Sequence, residues 1–162
     1  MNELLIQERI SQELNKINRG VQQLELFLTQ LNDSSDLIYQ EALVNSLALN
    51  LHGIYTGIER IFKVIATEID LSLPTGNKWH RDLLDQMAVK IPNVRTEVIT
   101  EESRAILDEL RRFRHVLRSA YSFQLDKQKV LIVVNNFLIY HHQLIQEIQS
   151  FCNYLDEEEV KQ

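Results

Sequence analysis

The sequence has almost no cysteine, and that removes two classes of stabilising chemistry at once. The single Cys152 has no partner for an internal disulfide, and no CxxC pair or Cys/His cluster offers the spacing of a structural zinc site. A free cysteine packs as a small hydrophobe, so Cys152 is expected in the core. Long apolar runs are missing too. The longest, VLIVV at 130–134, falls far short of the roughly 20 residues that a membrane span requires, and the polar start MNELLIQERI lacks a secretory layout. The expected setting is a soluble cytoplasmic protein without membrane contact. Net positive charge is also absent. At −6 overall, the chain is not built to coat nucleic acid or an anionic surface, so any contact with such a partner must be local. There is no Gly-rich phosphate loop, no HExxH, no paired-carboxylate metal motif and no nucleophile elbow, hence no metal or cofactor is expected.

What the chain does have is period. Ile10, Leu14, Ile17, Val21, Leu24, Leu28 and Leu31 form an apolar stripe at helical spacing, broken by NDSSD at 32–36. A second stripe runs through Leu43, Leu47, Leu51, Ile54, Ile58, Ile61 and Ile65 and ends in a loop marked by Pro74 and Gly76. A short third, around Trp79, Leu83 and Met87, stops before Pro92. The fourth follows Thr100, an N-cap with Glu101 and Glu102 in the first turn where the helix dipole favours acid, and runs through Ile106, Leu110, Phe113, Leu117 and Ala120. Asp126 caps the last, whose stripe is Val130, Val134, Phe137, His141, Leu144, Ile148, Phe151 and Leu155.

The β-branched VLIVV continues that stripe and is therefore read as helix. With 162 residues, 44% of them hydrophobic, the chain suits one domain spanning 1–162, an all-α antiparallel four-helix bundle with one additional short helix. Residues 156–162 are expected to fray. Gly53 and Gly57 strip side chains from one face of the second helix, where a neighbour can approach closely.

Against the acidic background, RRFRHVLRSAY at 111–121 stands out. Five arginines face only Asp108 and Glu109 between 104 and 118. With Phe113 and Leu117 turned to the core, Arg114, Arg118 and Tyr121 fall in a row at spacings of four and three, with Arg111 on the same side. The plain reading is a solvated face with pairs such as Asp108 to Arg112. Acids run out after Glu109, however, so these arginines must find partners on another helix, another subunit or an anion. A guanidinium beside apolar positions holds a phosphate well with its planar fork.

At these residues the chain resembles a known group. FRHVLRSAY, with WHRDLLDQM at 79–87 and the IERIF helix before it, is similar to the HepT-like branch of the HEPN superfamily. The resemblance implies a small helical bundle that forms a homodimer, joins two copies of a motif of Arg, four residues, His, one residue, Tyr into one site, and cuts RNA without metal. It also implies a minimal nucleotidyltransferase antitoxin as partner, which transfers AMP groups to the motif tyrosine. On this sequence the motif maps Arg114 to the arginine and Tyr121 to the tyrosine, with Ser119 where histidine is expected.

Serine cannot exchange protons near neutral pH as histidine does, and loss of a general acid or base costs about 10²- to 10⁴-fold in rate. His115 precedes Ser119 by one turn and can offer an imidazole from a displaced position. Arg114, His115 and Ser119 are therefore the catalytic candidates, Arg111 and Arg118 the phosphate ligands, and Tyr121 the acceptor of a modification. Three readings follow: a weak or inactive metal-independent ribonuclease of a toxin–antitoxin pair, a non-catalytic partner of a nucleotidyltransferase, or a scaffold with its arginines in a subunit interface. Elsewhere, His141 reads as a hydrogen-bonded core histidine, and His142 points away from it. Trp79 seals the bundle end, His52 and Asn50 line the second helix, and Glu59 and Arg60 read as ordinary surface pairing.

Overall fold

A computed structural model describes residues 3–121 and 124–161; Met1, Asn2 and Gln162, from the polar start and the tail, lie outside the described residues. The helices are α1 (Glu3–Asp33), α2 (Leu37–Glu68), α3 (Trp79–Met87), α4 (Glu101–Ser119) and α5 (Lys127–Val160). Four long helices and a short one match the architecture read from the periodicity. The helix ends follow local chemistry. Asp36 accepts the Ile38 and Tyr39 amides, each at 3.0 Å, and opens α2. Thr100 accepts the Ser103 amide at 3.3 Å, and Asp126 accepts those of Gln128 and Lys129 at 2.9 and 3.2 Å. VLIVV lies inside α5, which runs on through the acidic DEEEV to Val160.

Cross-helix pairs give the directions. Arg9 near the start of α1 meets Glu68 at the end of α2, and Gln7 reaches Asp156 at the end of α5. Thr100 at the start of α4 bonds Glu147 late in α5. Sequence neighbours are thus antiparallel. The stripes of α1, α2 and α5 are buried almost as expected, with Leu28 only partly so. In α4 the phase is one residue off at its start: Leu107 is buried and Ile106 is not. Cys152 packs partly buried against the core, where burial and then Asp156 push its thiol up to about 11. Among the described residues no helix is long and apolar enough to cross a membrane.

The close approach of α1 and α2 rests on a different glycine pair from the one expected. A Cβ on Gly20 would lie 2.9 Å from Ile54 Cγ1, and one on Gly57 3.1 Å from Ile17 Cγ1, whereas one on Gly53 would meet nothing within 4 Å. Gly57 therefore admits the neighbour, Gly53 does not, and Gly20 is the second partner.

The segment between α3 and α4 is pinned by a buried arginine. Arg95 Nε and Nη2 donate to Asp70 at 2.6 and 2.8 Å; Nη1 donates to the carbonyls of Val89 and Thr96, both at 2.9 Å, and Nη2 to that of Gln86 at 3.0 Å. The side chains of Arg95 and Asp70 are fully buried. All five guanidinium N–H groups are thereby used, which is what makes a buried cation tolerable. The lock ties the end of α3 and the segment after it to Asp70, just beyond α2.

Candidate functional site

α4 brings a row of arginines opposite a polar face of α2. Leu51, Ile54, Ile58, Ile61 and Phe62 take α2 into the core, and His52, Tyr55 and Glu59, at spacings of three and four, share another strip of the same helix. His52 and Tyr55 both feel the α4 cations. Burial, then Arg114 and Arg118, lower the His52 pKa below its ordinary value, with Glu59 opposing. Tyr55 is pushed above the usual phenol range by burial and then by Glu59, with Arg111 and Arg114 opposing. Its hydroxyl lies near Glu59 but makes no hydrogen bond of good geometry.

The start of α3 closes one side. Asn77, Lys78, His80 and Arg81 on one wall and Arg111, Arg112, Arg114 and His115 on the other line an open cleft of about 460 Å³. Five of these side chains are cationic and none is a carboxylate. Three of the cations have acidic partners behind them. Arg111 Nε meets Asp108 at 2.8 Å, Arg112 Nε meets it at 3.4 Å, and Arg81 lies 3.9 Å from Asp85. Among the described residues, Lys78 and Arg114 have no carboxylate within ion-pair distance. Lys78 also stands at the N-cap of α3, without a side-chain cap bond. An anion with several acceptor oxygens suits such a lining, which offers planar guanidinium forks and a lysine and holds no carboxylate of its own.

The structure divides the residues expected from the sequence. Arg111, Arg114 and His115 are together in the cleft, and Arg112 joins them. Arg118, Ser119 and Tyr121 lie beyond it. α4 ends at Ser119 and Ala120 is already extended, so Tyr121 does not continue the helical row of Arg114 and Arg118. It stands 71% exposed in the following turn, where its amide donates to Gln124 Oε1 at 3.1 Å. The Ser119 hydroxyl donates back to the carbonyls of His115 and Val116 at 3.1 and 3.2 Å, so it is engaged by its own helix. The expectation that every later arginine lacks a nearby acid holds for Arg114 and Arg118 and fails for Arg111 and Arg112, because Asp108 serves both.

One residue assigned to the background, Glu59, stands behind the cleft wall, against His80 in its lining. Glu59 is 7% exposed rather than a surface acid, and its Oε2 lies 2.5 Å from His80 Nδ1. Lys63 is more distant, 3.9 Å from the same carboxylate, and its ammonium lies 4.1 Å over the Trp79 ring. His80 in turn stacks on Trp79, with ring centroids 3.5 Å apart. The only signal in the sequence was the place of Glu59 next to Ile58 on the apolar stripe of α2, and the charged Arg60 and Lys63 around it gave it an ordinary surface look. Its partner, 21 positions on, has no local signature. His141 is as expected, 5% exposed with Nδ1 bonded to the Leu138 carbonyl at 2.7 Å. No group of three metal-ligating side chains occurs among the described residues.

Comparison with known proteins gives one family. No curated protein and no solved structure matches the chain significantly. The family model described as HepT-like protein matches residues 46–155, from within α2 to the last turns of α5, and so includes both walls of the cleft. The chain therefore belongs to the HepT-like proteins of the HEPN superfamily.

Proposed function

We propose that this protein binds RNA through the cleft between α3 and α4, as a HepT-type member of a toxin–antitoxin pair in the cytoplasm, and that it is at most a weak metal-independent ribonuclease. The observation that carries this reading is the cleft lining: five cations, no carboxylate, and Lys78 and Arg114 without ion-pair partners among the described residues. Arg114 is also the residue matching the arginine of the family motif, and a phosphodiester is the anion that such a lining accommodates along its length. Weakness follows from Ser119, whose hydroxyl is occupied by the backbone of its own helix. A homodimer and a minimal nucleotidyltransferase partner complete the proposal. Ultraviolet cross-linking to single-stranded RNA, followed by peptide mapping, tests it. Adducts are expected on the peptides holding Asn77–Arg81 and Arg111–His115; adducts confined to other helices contradict it.

The non-catalytic reading keeps one observation of its own, the 71% exposure of Tyr121 outside the helix. A nucleotidyltransferase can reach such a phenol, and AMP attached there would set a negative charge near Arg118. Incubation with the partner and ATP is expected to add AMP mass to the wild type and none to Tyr121→Phe. Equal labelling of both proteins would move the acceptor elsewhere.

A further inference from the structure

We infer that His80, held by Glu59, is the proton-transfer residue of the cleft and stands in for the histidine that the motif has lost to Ser119. The inference rests on the reading of the cleft as a phosphodiester site and adds to it a catalytic residue from outside the motif.

A buried carboxylate is costly unless it is paired, and the partner of Glu59 is chemically informative. The nearest donor is an imidazole at 2.5 Å, not Lys63 at 3.9 Å. A carboxylate that accepts from Nδ1–H fixes the ring orientation and its tautomer, so the lone pair of the neutral imidazole lies on Nε2. His80 is itself only partly buried, with 22% of its side chain exposed, and it lines the cleft. Stacking on Trp79 limits ring rotation further. The result is an oriented imidazole on the α3 wall and, on the α4 wall, Arg114 to hold the phosphate and His115 as a second imidazole. Neither Ser119 nor His52 lines this cleft. A histidine that merely capped Trp79 would need neither a buried acid behind it nor a face on a cationic cleft.

The chemistry balances with these groups alone. The ribose 2′-oxygen bonds to phosphorus and the P–O5′ bond breaks, leaving a 2′,3′-cyclic phosphate and a 5′-hydroxyl. The 2′-hydroxyl proton passes to His80 Nε2, and the departing 5′-oxygen takes a proton from His115 in its cationic form. Exchange with water restores both rings. Glu59 is a positioning residue, since it acts through His80, and Arg114 stabilises charge that develops on the phosphoryl oxygens.

The test uses the full-length protein with EDTA present, a fluorescent single-stranded RNA for cleavage and its all-2′-deoxy counterpart for binding. Wild type is expected to bind the deoxy strand and to cut the RNA slowly to cyclic-phosphate ends. His80→Gln should lower the cleavage rate by about 10²-fold or more while binding changes by less than about threefold. Glu59→Gln should retain binding, lose part of the rate, and move a limb of the pH–rate profile, which a purely structural role would leave in place. Imidazole nitrogen NMR on the wild type covers the case in which either variant misfolds. It should show the Nδ1–H tautomer of His80, with Nε2 perturbed when the deoxy strand is added. Binding without any cleavage, a His80→Gln rate equal to wild type, or an unperturbed Nε2 would overturn the inference while leaving the binding site intact. Absence of binding would remove the reading beneath it as well.

Discussion

Two arginines of this protein, Arg95 and Arg114, differ in nearly everything except their side chain. Arg95 is sealed from solvent, and its five N–H groups are spent on Asp70 and three carbonyls. Arg114 is half-buried on a helix flank, with no carboxylate in ion-pair range among the described residues, on the wall of a cleft that contains no acid. A satisfied guanidinium holds the fold in place, and an unsatisfied one is available to a ligand. The difference also separates what substitution does at each site, because one loss is read in stability and the other in affinity.

The largest expected effect belongs to the sealed pair. Arg95→Met leaves Asp70 buried and uncompensated, which costs about 3–5 kcal/mol. Chemical denaturation should show that loss, and RNA affinity of the protein that remains folded should stay near wild type. Arg114→Ala should do the reverse. Its stability is expected within about 0.5 kcal/mol of wild type, while RNA affinity falls by about 10-fold or more, as for loss of a charged hydrogen bond. If both variants lost stability equally, the contrast between the two arginines would collapse.

A smaller effect separates the glycines of the α1–α2 seam. Gly57→Ala forces a contact at 3.1 Å with Ile17, and overpacking of about 1–3 kcal/mol outweighs the helix-propensity gain of about 1 kcal/mol. Gly53→Ala meets nothing within 4 Å and should stabilise by up to about 1 kcal/mol. Thermal melts of the two variants should therefore move in opposite directions. The smallest effect is a pH dependence from His52. Its pKa in the folded chain is below the ordinary 6.5, so the unfolded chain takes up the proton first as pH falls. The stability contribution is complete above about 6.5 and is lost as pH drops from there through the lowered folded value. His52→Gln should flatten that part of the stability profile; an unchanged slope would place its origin elsewhere.

Much of the fold was legible because helical periodicity is a local signal. The stripe of α5 from Val130 to Leu155 is buried at every expected position, and Thr100 and Asp126 cap as their side chains dictate. The features that escaped depend on partners far apart in sequence. Asp70 and Arg95 are separated by 25 positions, Glu59 and His80 by 21. Nothing in either residue's neighbourhood announces the other. The arginine cluster was visible as composition, and so was its family likeness. Its division was legible only in part: Asp108 pairs with Arg112 as the plain reading had it, but it meets Arg111 as well, and the end of α4 at Ser119 takes Tyr121 off the helical row. The α3 wall of the cleft follows from tertiary packing and has no counterpart in spacing.

The most direct test of the central claim is a salt series of RNA binding by wild type and by the Lys78→Ala, Arg114→Ala double variant, with thermal melting measured in parallel. If the cleft holds the phosphodiester backbone, log affinity of the wild type falls steeply with log salt. The double variant should then lose about two phosphate contacts from that slope, with an unchanged melting temperature. Equal affinity and equal slope for the two proteins would contradict the account and place RNA, if it binds at all, on another face of the bundle.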